Sequence, residues 1–253
     1  MFLSEFEQKV NHAKQLDFGI IFSQSIDLFK KVWVQGLITI LLSIVAIIPI
    51  YCIIYIPLLA FGIDPEFISN SESVNVIFLI LTGVFFFVFA IIASAISMGL
   101  MSAFYRICKQ KDFEEIVKDD YFYYFKKAYF LKLIKLALVV LLISIVAAFL
   151  CVIPLFYAFV PLSFITVIFA FNPDQSVTDI VKASFKLGNK KWLITFGLFV
   201  ICGFLAQIVG MLMCFIGLFA TASFTYIPLY IIYKEVIGVE NSEDQSVFIE
   251  TTL

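Results

Sequence analysis

Six apolar stretches, each about as long as or longer than the ~20 residues an α-helix needs to cross a bilayer core, run through this chain. They cover about 36–61, 74–105, 130–150, 153–171, 192–211 and 213–233. The third and fourth follow one another with almost no polar residue between them, and so do the fifth and sixth. A single helix through either pair would be ~60 Å long, about twice the hydrocarbon thickness. Each pair is therefore expected to fold as a tight hairpin, with Pro154 and the 210–217 region as turning points. Composition leaves little alternative. The chain is 62% hydrophobic and 14% charged, with 31 phenylalanines among its 253 residues. A soluble domain is about half apolar and a quarter charged, and could not hide this much apolar side chain from water.

The cations set the orientation. Lys9, Lys14, Lys30 and Lys31 precede the first stretch. Arg106, Lys109, Lys111, Lys118, Lys126, Lys127, Lys132 and Lys135 fall between the second and third, and Lys182, Lys186, Lys190 and Lys191 between the fourth and fifth. Lys234 follows the sixth, which completes the 17. The 62–73 loop carries Asp64, Glu66 and Glu72 and no cation. The positive-inside rule then puts both termini in the cytoplasm of a bacterial inner membrane. The expected fold is all-α: a polytopic protein of six transmembrane helices arranged as three hairpins. The segments 1–16 and 239–253 read as a polar cytoplasmic tail without a signal-peptide core and an acidic flexible end.

An internal repeat joins the hairpins. Phe18, Ile21, Phe22, Ser25, Leu28, Lys31 and Trp33 match Val177, Ile180, Val181, Ser184, Leu187, Lys190 and Trp192 at identical spacing. A weaker copy before the third stretch has Tyr124, Lys127 and Tyr129 in the last three places, with Phe113, Ile116 and Val117 upstream. The i, i+3, i+4, i+7 spacing predicts three amphipathic helices at the cytoplasmic interface, each turning into a hairpin. The pseudo-repeats are then about 17–105, 113–172 and 176–238 within one membrane domain, 17–238. Ser176 is placed to cap the last lead-in, with Asp179 in its first turn. Lys31, Trp33, Lys127, Tyr129, Lys190 and Trp192 are the candidate contacts to lipid headgroups or to a partner, with plain interfacial anchoring as the simpler role.

Within the stretches the polar residues are mild. No ionisable side chain lies near the centre of any of them, which argues against a proton-coupled or voltage-sensing machine. Ser97, Thr195 and Gln207 are the candidate intramembrane polar contacts, Gln207 through an interhelical hydrogen bond. Rows of small residues, such as Ala90 with Ser94 and Ala93 with Ser97, predict close helix packing in the second stretch. His12 is the one histidine. Cys52, Cys108, Cys151, Cys202 and Cys214 form no CxxC pair and read as small buried hydrophobes. Glu114, Glu115, Asp119 and Asp120 are expected on a solvated helix face. No metal or other cofactor and no catalytic residue is expected, and nothing indicates nucleic acid.

The lead-ins SIDLFKKVW and SFKLGNKKW resemble those of the membrane domain fused to some glycerophosphodiester phosphodiesterases, and of related stand-alone bacterial membrane proteins. The resemblance would cover about residues 17–238. It implies a helical, non-catalytic membrane module, because the soluble segments are too short for the phosphodiesterase barrel. Mitochondrial carriers also have three hairpins, but their Pro-x-acid-x-x-base signature is absent. The expected function is that of an accessory or scaffold membrane protein with a membrane-protein partner. The alternative is a transporter, or the substrate-binding subunit of one, for a neutral or amphipathic small molecule.

Overall fold

The computed structural model describes residues 2–60, 76–150, 152–213 and 216–239. Among these, all regular secondary structure is helical. We number the α-helices α1 Phe2–His12, α2 Phe18–Ala60, α3 Val76–Asp112, α4 Lys127–Leu150, α5 Val152–Phe171, α6 Val177–Lys190, α7 Trp192–Leu212, α8 Ile216–Thr221 and α9 Ile227–Ile237. Short 3-10 turns occupy Tyr123–Phe125 and Ala222–Tyr226.

Five of these helices contain segments long and apolar enough to cross a membrane: 18–49 of α2, 83–112 of α3, α4, 153–171 of α5, and α7. Their outer faces carry rows of exposed apolar side chains. Val34, Ile38, Leu41 and Val45 form one on α2, and Val200, Phe204, Ile208 and Met211 form another on α7. Water would not tolerate surfaces of this extent, whereas acyl chains solvate them. The chain is membrane-embedded.

The opposite part of the molecule is densely packed. One buried cluster joins Phe6 and Val10 of α1, Ile21, Leu28 and Val32 of α2, and Phe104 and Cys108 of α3. It continues through Leu133 of α4, Phe164 and Ile168 of α5, Ile180 and Leu187 of α6, and Tyr230 and Ile232 of α9. The lysines and most of the carboxylates sit on the elements that surround this cluster. The protein thus has a compact charged body and a looser apolar part.

The sixth apolar stretch is not one helix. It is divided into α8, the second 3-10 turn and α9. Two local causes divide it. The Thr221 hydroxyl donates to the carbonyls of Ala206 (2.7 Å) and Gly217 (2.9 Å), tying the end of α8 to α7. Pro228, which has no N–H to donate, stands at the start of α9, where that loss is harmless.

The repeated lead-ins also differ from expectation. The first does not turn at the membrane boundary. It continues into the span as one 43-residue helix, ~65 Å long at 1.5 Å per residue. No glycine or proline interrupts the 20–35 region, so nothing breaks the backbone hydrogen bonds there. The third lead-in is α6, separated from α7 only by Lys191. Ser176 caps it, accepting from Asp179 N at 3.1 Å and donating to Asp179 Oδ2 at 2.8 Å. Ile180, Ser184 and Leu187 are buried in α6, as Ile21, Ser25 and Leu28 are in α2. The upstream part of the middle copy, with Phe113, Ile116 and Val117, forms no helix. α3 runs on to Asp112, and residues 113–122 are a loop in which Glu114 adopts a φ of 57°. Its charged residues bond to neighbouring elements, and no continuous apolar face remains to hold a helix.

Pro161 and Gly188 position α5 against α6. A Cβ built on Gly188 would lie 2.5 Å from the Pro161 Cα, so the two backbones touch at this point. Pro161 also lacks the N–H that would bond to the carbonyl of Tyr157, four residues earlier. The Trp192 indole N–H donates to that carbonyl instead, at 3.0 Å.

Candidate functional site

The polar groups of the charged body converge where the end of α3, the 113–122 loop, α2 and α9 meet. Asp112, the last residue of α3, accepts from Lys234 at 2.7 Å and from the Tyr230 hydroxyl at 2.9 Å, both on α9. Lys109 pairs with Glu115 at 3.7 Å and Lys111 with Asp119 at 3.4 Å. Two links reach α2: Lys31 to Glu114 at 3.1 Å, and Gln35 Nε2 to Asp119 Oδ2 at 3.3 Å. The loop is therefore held to two helices by its carboxylates. Between them opens a groove of about 670 Å³, lined by Lys31, Lys111, Glu114, Glu115, Ile116, Val117 and Lys118. Tyr121 lies just beyond it, its hydroxyl pushed up to about 12 by burial and by the charge of Asp119.

An aromatic cluster continues this rim toward α4. The Arg106 guanidinium lies 3.7 Å from the centre of the Tyr123 ring, with the Lys126 ammonium at 4.6 Å. The Tyr124 hydroxyl donates to the carbonyl of Ala170 at 2.5 Å, satisfying one of the carbonyls that the end of α5 leaves without a helical partner. On the far side α1 is tied to α6 by the Lys186–Glu7 ion pair, and just beyond the two helices Lys191 bonds to the Lys14 carbonyl at 3.0 Å. Burial, and then the neighbouring Lys190 charge, hold the Lys191 ammonium below the usual lysine range.

The residues singled out from sequence do not form one site. Lys31 belongs to the groove, while Trp33 is 46% exposed on α2. Lys127 is exposed at the start of α4, and Tyr129 stacks on Tyr123 with ring centres 5.9 Å apart. Lys190 is exposed and Trp192 stacks on Tyr157 and Phe196. Trp192 is thus more than an interfacial anchor. Trp192→Phe keeps the ring contacts and strands the Tyr157 carbonyl. The expected loss is about 1–2 kcal/mol, read as a lower unfolding midpoint in detergent; an unchanged midpoint would mean that the bond contributes nothing.

The intramembrane candidates lie apart as well. Ser97 is half-buried on α3. Thr195 is buried and donates to the carbonyl of Lys191, the residue that precedes α7, at 2.7 Å. Gln207 is exposed on α7 rather than turned toward a neighbouring helix, because Ala206 and Gly210 take the inward positions. None of the three lines the apolar cavity between α2 and α7, beside Phe22, Phe29 and Leu205, or the one between α4 and α5, beside Leu142, Val146 and Ala158.

Asp112, Gln35 and Tyr230 were not named from sequence, and Lys111, Lys118 and Asp119 were named only as charges of the segment between the second and third stretches. The acidic run 114–120 was the available signal, but it read as a solvated helix face. It is a loop whose carboxylates reach lysines on separate elements. Among the described residues no group of three or more His, Cys, Asp or Glu is placed to hold a metal ion. Comparison with protein-family models, with curated proteins and with solved structures finds no match for this chain.

Proposed function

We propose that this chain is a non-catalytic accessory or scaffold protein of a bacterial cytoplasmic membrane, which docks a membrane-protein partner on its charged body. In this reading it crosses the bilayer six times as three hairpins, the last crossing being the broken α8–α9 segment, and both termini are cytoplasmic. The supporting observation is where its charged side chains lie. Four hydroxyls of the spanning segments bond to carbonyls of their own helices, Thr39 to Gln35, Ser43 to Thr39, Ser144 to Val140 and Ser163 to Phe159, all at 2.7–2.8 Å, and Ser102 of α3 bonds to the Thr166 carbonyl of α5 at 3.1 Å. Side chains engaged in this way offer a solute little along the membrane interior. The groove beside the 113–122 loop instead presents lysines, carboxylates and two apolar side chains on one surface. The shared lead-ins support kinship with the membrane domains found beside phosphodiesterases.

The test is crosslinking in native membranes followed by affinity purification of the full chain. A stoichiometric membrane-protein partner, lost in Lys111→Glu/Lys118→Glu, is the expected result. A lone protein with no crosslinked species would overturn the proposal. The same cells report orientation: a cysteine replacing Ser71 should react with an impermeant thiol reagent, and one replacing Lys111 should not.

A further inference from the structure

The 113–122 loop is held out by polar bonds and yet presents apolar side chains at its tip. Glu115 N bonds to the Gln110 carbonyl at 2.8 Å, and Glu114 and Asp119 fasten the loop to α2 through Lys31 and Gln35. Between these anchors Ile116 is fully exposed, and Val117 is 47% exposed. A loop in water would fold such β-branched side chains inward or replace them.

Its place on α2 gives the reason. Lys31 shares a helix face with Val34, Ile38, Leu41 and Val45, at three- and four-residue steps. These four are exposed and apolar, so this face meets lipid, and Lys31 stands at its foot. One turn along α2 from Lys31, Gln35 bonds to Asp119 of the loop, whereas Thr39 and Ser43 beyond it bond within α2. The loop that Lys31 and Gln35 hold is therefore at the boundary between headgroups and acyl chains. Three ammonium groups stand around it. Those of Lys31 and Lys111 are partly exposed beyond their ion pairs, and Lys118 is exposed.

We propose that this loop seats on the bilayer, with Ile116 and Val117 in the acyl boundary and Lys31, Lys111 and Lys118 around the phosphate of an anionic phospholipid headgroup. Apolar tips beside lysines are what an anionic interface selects, because burial and charge attraction act together. The inference rests on the membrane-embedded reading and needs no protein partner.

The test uses the full chain carrying Ile116→Trp, in nanodiscs of equimolar phosphatidylcholine and phosphatidylglycerol. The fluorescence added over wild type is followed while one lipid at a time carries brominated, quenching acyl chains. Quenching is expected to be stronger with brominated phosphatidylglycerol. Lys118→Glu in the same background should lower that preference by about fivefold. Absence of quenching by either lipid overturns the seating, and equal quenching overturns the headgroup site. Loss of the preference on adding inorganic phosphate would assign the lysines to free phosphate and overturn the lipid site. Wild-type Trp33, which is itself exposed, separates the two readings: if brominated lipid leaves wild-type fluorescence unchanged, the embedding itself has failed.

Discussion

Gly188→Val is expected to destabilise the protein by about 3 kcal/mol or more, because the new side chain meets backbone rather than a movable side chain. The Cβ position lies 2.5 Å from Pro161 Cα and 2.9 Å from Pro161 N, well inside any real contact. Relief requires α6 to move away from α5. That would disturb Leu187 and Ile180 on one side and Phe164 and Ile168 on the other, all buried in the same cluster. A β-branched residue recovers only part of the ~1 kcal/mol that glycine costs inside a helix, so the sign is not in question. Gly203→Ala is the matched control: its Cβ would meet Thr225 at 3.7 Å, an ordinary contact. It should leave stability unchanged or raise it by up to about 1 kcal/mol. Unfolding midpoints in one detergent, by intrinsic fluorescence, decide the matter. Equal midpoints for the two variants would mean that α5 and α6 are not in backbone contact.

Asp112→Ala is expected to cost about 2–4 kcal/mol. Asp112 is the common acceptor for Lys234 and Tyr230, and its side chain is 20% exposed against 29% for Lys234. An exposed ion pair is worth at most about 1 kcal/mol, and losing one partner of a fully buried pair costs about 3–5 kcal/mol. This pair lies between, and the Tyr230 hydroxyl loses its acceptor as well. Lys234→Met on its own should cost less, since Asp112 keeps Tyr230. The double variant should recover part of the Asp112→Ala loss, because no unpaired ammonium is then left against α3. The effect should also be local. Without Asp112, α9 loses its polar tie to α3, and a protease cutting near Gly238 should then trim further into α9. Full stability in Asp112→Ala would show that α9 is held by its apolar face alone.

Much of the architecture was legible in the residues. Apolar length and the near-absence of charge within the stretches specify membrane helices, because lipid leaves a backbone few ways to satisfy itself. The 130–171 run holds two described helices, α4 and α5, as its length required. Ser176 and Asp179 announced the start of α6 through local capping chemistry. The shared burial of Ile21, Ser25 and Leu28 with Ile180, Ser184 and Leu187 followed a spacing visible in the chain. Two helix ends were less legible. Nothing between Ser25 and Gly36 marks a boundary, so α2 ran through the expected turn. The divided sixth stretch depends on Thr221 meeting Ala206, a contact between two helices rather than a property of either.

The candidate site was the least legible part. The carboxylates of its loop alternate with Lys118 and aromatics in sequence, and a solvated helix face accounted for them without any tertiary contact. The partners Lys31, Gln35 and Lys234 of the site's carboxylates lie far along the chain, and only packing brings them near. Pro161 shows the same division within one residue. Its ring determined that the Tyr157 carbonyl would be left over; that Trp192 takes it, and that Gly188 allows the approach, was decided by how α5 meets α6 and α7.

The clustering of lysine and arginine toward the ends of the apolar stretches, the apolar lengths and the repeated lead-in were thus determined by sequence alone, because each is a one-dimensional pattern that solvent or lipid reads directly. The groove, the loop that borders it and the lock between α5 and α6 were decided by tertiary structure. They depend on distances between residues that the chain itself keeps far apart.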